Sequence, residues 1–404
     1  MDGQHSGERA RRWLLVSMIG AACIYGSMLS VTYPLLALLL EAQGASDLMI
    51  GMNAAMTPAG CLVSAPLLPW AVRRFGPWWV MVGSLAGTAL ILLGIWLLRD
   101  PVAWFPLRLL LGFAINGVMG VSETWINLIA RPESRGRTLG LYTTFLAVGF
   151  ALGPVLLAAV GPDSPLPFAV GIALTLLAAL SLLPARGAAA PMGGGGTLPV
   201  VELLQRHGTL LLGIVALSLF DGALLSLLPV YVIDHGLGPR QAAALLAPLV
   251  VGNVLLQFPV GWLADRIDRR TVLAGCALAG CAGALLLPLV VETQFWLWPV
   301  MMGWGGLTFA IYPVVLAVLG HRLAGDDLLI ANMAIAAVWG AGGLVGPALV
   351  GAAMQLGGPG GLPVSLALVW GVFALFLVRR PRRYSSVRTS QSSGNNVVSS
   401  TRRR

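Results

Sequence analysis

Three ionisable residues stand inside long apolar runs of this 404-residue chain: Arg108, Glu123 and Asp221. A charge in hydrocarbon is costly, so such groups face a watery cavity or a partner. Hydrocarbon favours the neutral carboxyl and water the ionised one. Glu123 and Asp221 can therefore take up and release a proton as their surroundings change. Arg108 can hold an anionic group or favour an ionised acid beside it. Asp221 lies about 18 Å along its helix from Thr209, near the middle of a ~30 Å core.

The run that carries Arg108 also places Gly112, Asn116, Glu123 and Asn127 on one stripe, with Arg108 to its side. A polar stripe on an apolar helix turns toward the interior of a bundle. Each residue also has a plainer reading. Glu123 pairs equally well with Arg73 or Arg74 in a gate, Arg108 clamps carbonyls, and Asp221 caps a helix break near Gly222. Tyr25, Tyr33, Trp304 and Tyr312 line a cavity or serve as packing. Asn253 and Gln257, at i and i+4, serve equally as glue between helices.

Catalytic patterns are weak. His321 to Asp326 has an H-x4-D spacing, but Asp326 or Asp327 is a natural helix N-cap in a short loop. There is no G-x-S-x-G, no H-E-x-x-H and no phosphate-loop lysine. Cys23, Cys61, Cys276 and Cys281 lie in apolar runs without C-x-x-C spacing and read as structural thiols. The sequence thus points away from an enzyme, a metal site or a cofactor.

The elements that must position these residues follow from composition. Hydrophobic residues make up 57% of the chain and charged residues 10%, with a mean hydropathy of +0.84. Soluble domains carry roughly a quarter charged residues, and a globule of this size needs them to cover its surface. An all-α membrane protein remains. Twelve apolar runs are long enough to span: 13–40, 49–70, 78–98, 102–128, 137–159, 166–184, 209–233, 241–264, 271–291, 294–320, 328–355 and 361–379.

All 25 basic residues are Arg, and with the N-terminus inside, 22 fall on the inner side. Both termini are therefore expected in the cytoplasm. The net charge of +9 is spread over short loops and a tail, a topology signal and not a nucleic-acid patch. The chain divides into a cytoplasmic N-terminus (1–12), a six-helix bundle (13–184), a Gly-rich cytoplasmic linker (185–208), a second six-helix bundle (209–379) and a polar, basic cytoplasmic tail (380–404). The tail reads as disordered, and its arginines suit a topology anchor or anionic lipid.

The second bundle repeats the first. Pro34 and Pro229 close similar segments, Gly149-to-Pro154 matches Gly342-to-Pro347, and Arg73-to-Gly76 corresponds to Asp265-to-Asp268. These landmarks share offsets of 192 to 195 residues, the mark of a duplicated unit. Parallel halves of this kind form a transporter architecture with its site between them near the midplane.

Gly261-Trp-Leu-Ala-Asp265-Arg266-Ile-Asp268-Arg269-Arg270 resembles the G-x-L-x-D-R-x-G-R-K signature of the major facilitator superfamily, with Asp268 in place of the usual Gly. The copy after the second run keeps Arg74 and Gly76 but has Arg73 in the Asp place. Arg108 followed by Gly112 resembles the superfamily's intramembrane Arg. Gly140, Gly149, Gly153 and Pro154 resemble its antiporter Gly-Pro pattern, with Leu157-Ala158 where a Gly pair is usual. Glu123-Thr-Trp125-Ile-Asn127, then Arg135-Gly136-Arg137, resembles a bacterial subgroup with few assigned substrates.

The resemblance covers roughly residues 13–379 and implies twelve transmembrane helices in two pseudo-symmetric bundles, in a bacterial inner membrane. It implies a monomeric secondary transporter of a small organic molecule, working by alternating access without a nucleotide. The partners are that substrate, the bilayer and a coupling ion, for which the proton is the first choice. Export by antiport is the first expectation and proton-coupled uptake the second. The rival class is a membrane sensor or assembly factor on the same scaffold. Asp221, Glu123, Arg108 and Asn116 are then the substrate and coupling residues. Gly261, Asp265, Arg266, Arg270, Arg73 and Arg74 form an inner gate. Gly149, Gly153, Pro154, Gly346 and Pro347 pack helices.

Overall fold

The computed structural model describes residues 2–129, 135–162, 164–186, 200–293, 295–322 and 326–379. The linker residues 187–199 and the tail 380–404 lie outside them, as do Arg131 and the side chains of Asn127, Arg135, Arg137, His321 and Asp326. No strand occurs among the described residues. The first half comprises α1 (Asp2–Ala42), α2 (Asp47–Ser64), α3 (Leu68–Phe75), α4 (Pro77–Leu97), α5 (Trp104–Ile129), α6 (Arg135–Val160) and α7 (Leu166–Ser181). The second comprises α8 (Val200–Asp234), α9 (Pro239–Ala244), α10 (Leu246–Arg266), α11 (Arg269–Thr293), α12 (Leu297–Phe309), α13 (Ile311–Arg322), α14 (Asp326–Gly357) and α15 (Gly361–Arg379).

Eleven of the described segments are long and apolar enough to span, and the bent pair α2 and α3 supplies a twelfth. That second run is not the single straight helix expected over 49–70. It turns by 61° between Ser64 and Leu68, where Pro66 and Pro69 each remove a backbone donor and crowd the preceding turn. Two other runs are interrupted by the same chemistry. α9 ends at Ala244, four residues before Pro248, and α12 ends at Phe309, four residues before Pro313. In each case the proline ring displaces the carbonyl four residues back. α8 runs through Gly222 without a break, which removes the cap reading of Asp221.

Close helix crossings repeat between the halves. A Cβ at Gly149 or Gly153 of α6 would strike Cys23 or Ser30 of α1. One at Gly342 or Gly346 of α14 would strike Val215 or Leu219 of α8. A second pair of crossings follows the same rule. Gly60 of α2 meets Gly112 and the Leu109 carbonyl of α5, and Gly252 of α10 meets Gly306 and the Met302 carbonyl of α12. These glycines recur at offsets of 192 to 194, so the duplication extends to the contacts that set helix distance. Without water to drive association, close backbone approach is what holds helices together in lipid.

The halves join on the Arg-poor face. Gly51 of α2 lies against Pro347 and Gly351 of α14, backbone to backbone. Gly161, at φ +84°, lies beside the Arg240 guanidinium. Leu90, Phe258, Leu289 and Val378 are among the large apolar side chains left exposed for lipid.

Candidate functional site

The predicted polar residues do not form one group. Arg108 is fully buried on α5, and α2 supplies its partner. Its Nη1 donates to Asn53 Oδ1 at 3.0 Å. Its guanidinium carbon lies 5.6 Å from the centre of the Tyr33 ring on α1. Among the described residues no carboxylate pairs with it. Arg108 Nε, Asn53 Nδ2 and Thr57 Oγ1 are all buried without a hydrogen-bond partner. A buried cation with unfilled donors is unusual, because each unmet group costs about 1–3 kcal/mol.

Tyr33 is half-buried and stands within electrostatic reach of Arg108, Cys61 and Asp221. Asp221, on α8 of the other bundle, is half-buried and has no hydrogen-bond or ion-pair partner among the described residues. Arg108 and Asp221 thus approach Tyr33 from opposite halves. Asn53 and Thr57 escaped the sequence reading. Two polar residues one helical turn apart in an apolar run were the available signal.

Asn116 has a different job. Its Nδ2 donates to Ser64 Oγ at 3.0 Å and to the Cys61 carbonyl at 3.4 Å, tying α5 to the end of α2. The Cys61 thiol donates to the Gly112 carbonyl at 3.2 Å across the same contact. The expected aromatic lining also divides. Tyr25 is fully buried with its hydroxyl 2.9 Å from Thr88 Oγ1. Trp304 is 2% exposed, donates to the Gly280 carbonyl at 2.9 Å and packs on Phe220 at 5.1 Å between ring centres. Both are packing residues, since a Tyr or Trp that finds a polar partner for its tip is stable wholly inside a bundle. Tyr33 and Tyr312 remain half-buried, and Tyr312 meets Trp339 edge-on at 5.6 Å.

Nearer the Arg-rich face, Glu123 is exposed and within electrostatic reach of Tyr142 in the first half and Tyr312 in the second. Asp265 is exposed and 3.4 Å from Arg269. Arg270 donates to the Leu377 carbonyl, fastening the start of α11 to α15. Arg266 covers the Trp262 ring at 3.8 Å, Arg73 is exposed, and Arg74 lies 5.8 Å over Phe75. Gly261 has open space where a side chain would be. The structure brings Asp265, Arg266 and Arg270 into one loop region at the end of α10.

Comparison with known proteins accords with this architecture. A bacterial relative, the uncharacterised MFS-type transporter YfkF of Bacillus subtilis (strain 168), is 28% identical over 94% of this chain and 97% of its own. The uncharacterised MFS-type transporter YcaD of Escherichia coli (strain K12 / DH10B) is 25% identical over 87% and 91%. Among solved structures, a bacterial homologue of the human lysosomal transporter Spinster, inward-facing and unoccupied, aligns with a TM-score of 0.70 at 16% identity over 91% of this chain and 95% of that one. The nucleoside transporter NupG aligns with a TM-score of 0.72 at 14% identity over 91% and 98%. These two likenesses concern the fold. The Major Facilitator Superfamily model matches residues 18–255 and 210–403, and with twelve apolar spans in two related halves the chain belongs to that superfamily, as a multi-pass membrane transporter.

Proposed function

We propose that this protein is a proton-coupled secondary transporter of the bacterial inner membrane that exports a small organic molecule by alternating access. The observation that carries the coupling is Asp221: a half-buried, unpartnered acid in the middle of an unbroken span, within electrostatic reach of Tyr33 of the other half. Movement of the halves changes how much water reaches such a carboxyl, and its proton follows. The Arg distribution puts the Arg-rich face in the cytoplasm. With that orientation the contacts at Gly51 and Gly161 lie on the outer side. Glu123 and the end of α10 act at the cytoplasmic gate, and Gly149-to-Pro154 favours antiport by its resemblance to the antiporter pattern.

Reconstituted vesicles with an imposed pH gradient test this reading, using a substrate first found by comparing metabolites of null and overexpressing cells. Asp221→Asn is expected to abolish gradient-driven accumulation while exchange of labelled for unlabelled substrate continues. Full accumulation by the variant removes Asp221 from the coupling.

A further inference from the structure

We propose that Arg108, Asn53 and Thr57 form a subsite that takes an anionic oxygen group, a carboxylate or similar oxyanion, of the transported molecule. The proposal rests on the transporter reading and names its substrate class.

The first ground is charge. Arg108 is wholly removed from solvent, and among the described residues no acid neutralises it. A buried cation without a counter-ion is strongly unfavourable, and a planar anion is the group that its fork fits. The second ground is the count of donors. Arg108 occupies the Asn53 carbonyl oxygen, so the amide must be oriented with its nitrogen away from the guanidinium. Asn53 Nδ2, Arg108 Nε and the Thr57 hydroxyl are then left with nothing to donate to. Three unmet donors, one on the cation and two on the facing turns of α2, call for acceptors, which an oxyanion supplies in pairs.

The third ground comes from the other half. At the offset of 192 to 193 residues, the places of Asn53, Thr57 and Arg108 are taken by Leu245, Leu249 and Met301, all buried. The same helix crossings therefore pack with hydrocarbon alone, and the skeleton does not require the polar trio. Access runs past Tyr33. Its ring lies 5.6 Å from the guanidinium, is itself half-exposed and stands within electrostatic reach of Asp221, so a change in its position uncovers the donors.

The test uses the full chain, purified in detergent and in chloride-free buffer. Thermal unfolding is followed with benzoate and a panel of aliphatic mono- and dicarboxylates, each beside its amide and its amine, and with chloride alone. Carboxylates are expected to raise the midpoint and their amides to leave it unchanged. Arg108→Gln should weaken the carboxylate effect at least tenfold, as loss of a charge-assisted pair implies. Thr57→Val and Asn53→Leu, which keep the charge, should weaken it about three- to tenfold and show whether a failed Arg108 variant is simply unfolded. Stabilisation by amides or amines equal to that by carboxylates, an unchanged effect in Arg108→Gln, a response to chloride alone, or no response to any carboxylate overturns the subsite. Counterflow in vesicles separates the two readings. A carboxylate that binds through Arg108 but never crosses sinks transport and leaves the subsite. Flux of a cation or neutral molecule that ignores Arg108→Gln does the reverse.

Discussion

The two halves share one set of helix contacts and differ in what fills them. In the first, the crossing of α2 and α5 buries Asn53, Thr57 and Arg108 beside Gly60 and Gly112. In the second, the crossing of α10 and α12 buries Leu249 and Met301 beside Gly252 and Gly306, and Leu245 is buried at the break just before α10. The second half instead gathers Phe220, Trp304 and Trp370 within 5.4 Å of one another's ring centres where Phe220 meets each. Glycine positions are therefore answerable to geometry, while the polar residues answer to something that only one half does. Asp221, which the second half contributes from the middle of α8, lies within electrostatic reach of Tyr33 in the polar half.

This contrast fails if the crossings are not equivalent. Gly60→Val and Gly252→Val each push a side chain into a facing carbonyl, so both are expected to lose about 3 kcal/mol or more. The readout is the yield of monodisperse protein by size exclusion. Loss in one half only would show that the duplication stops short of its packing. A finer comparison replaces aromatic residues. Tyr33→Leu puts into α1 the residue that the second half carries at 228, and it should reduce flux about tenfold with little change in the unfolding midpoint. Trp304→Phe removes the bond to Gly280 and should lower stability by about 1–3 kcal/mol while flux per folded molecule is unchanged. Swapped results would move the site to the other bundle. The smallest effect belongs to the loop after α10, which kept its acid while the first half's loop has Arg73. The pair of Asp265 with Arg269 is exposed, so Asp265→Asn should slow turnover less than about fivefold and leave substrate affinity intact. A large loss of affinity would place Asp265 in the binding site.

Spans, loops and the duplication were legible in the sequence because hydropathy and Gly-Pro spacing are local properties. Arg108 and Asp221 were legible because an ionisable residue in an apolar run is conspicuous wherever it points. What each residue faces was not legible. Asn116 shares a stripe with Glu123, yet the end of α2 reaches it first and spends it on Ser64 and Cys61. Trp304 sits on a helix suited to lining a cavity, but its rotation about that helix turns the indole toward Gly280. Asn53 and Thr57 carry no motif, and their importance appears only when Arg108 arrives from α5. The break of the second run stood in plain view at Pro66 and Pro69, and apolar length concealed it.

The bend between α2 and α3 gives the two halves unequal purchase on their surroundings. α3 turns away from the line of α2 and carries Trp70, Arg73, Arg74 and Phe75 exposed, the residue types that settle among lipid headgroups. α10, its counterpart, continues unbroken to Arg266. The first half thus leaves the line of its second span at the Arg-rich end, with aromatic and basic side chains exposed on the departing helix, and the second half does not do so at that place. On the alternating-access reading proposed above, rocking that is symmetric from one half to the other becomes lopsided against the bilayer, with the first half as the stator and the second sweeping the larger arc.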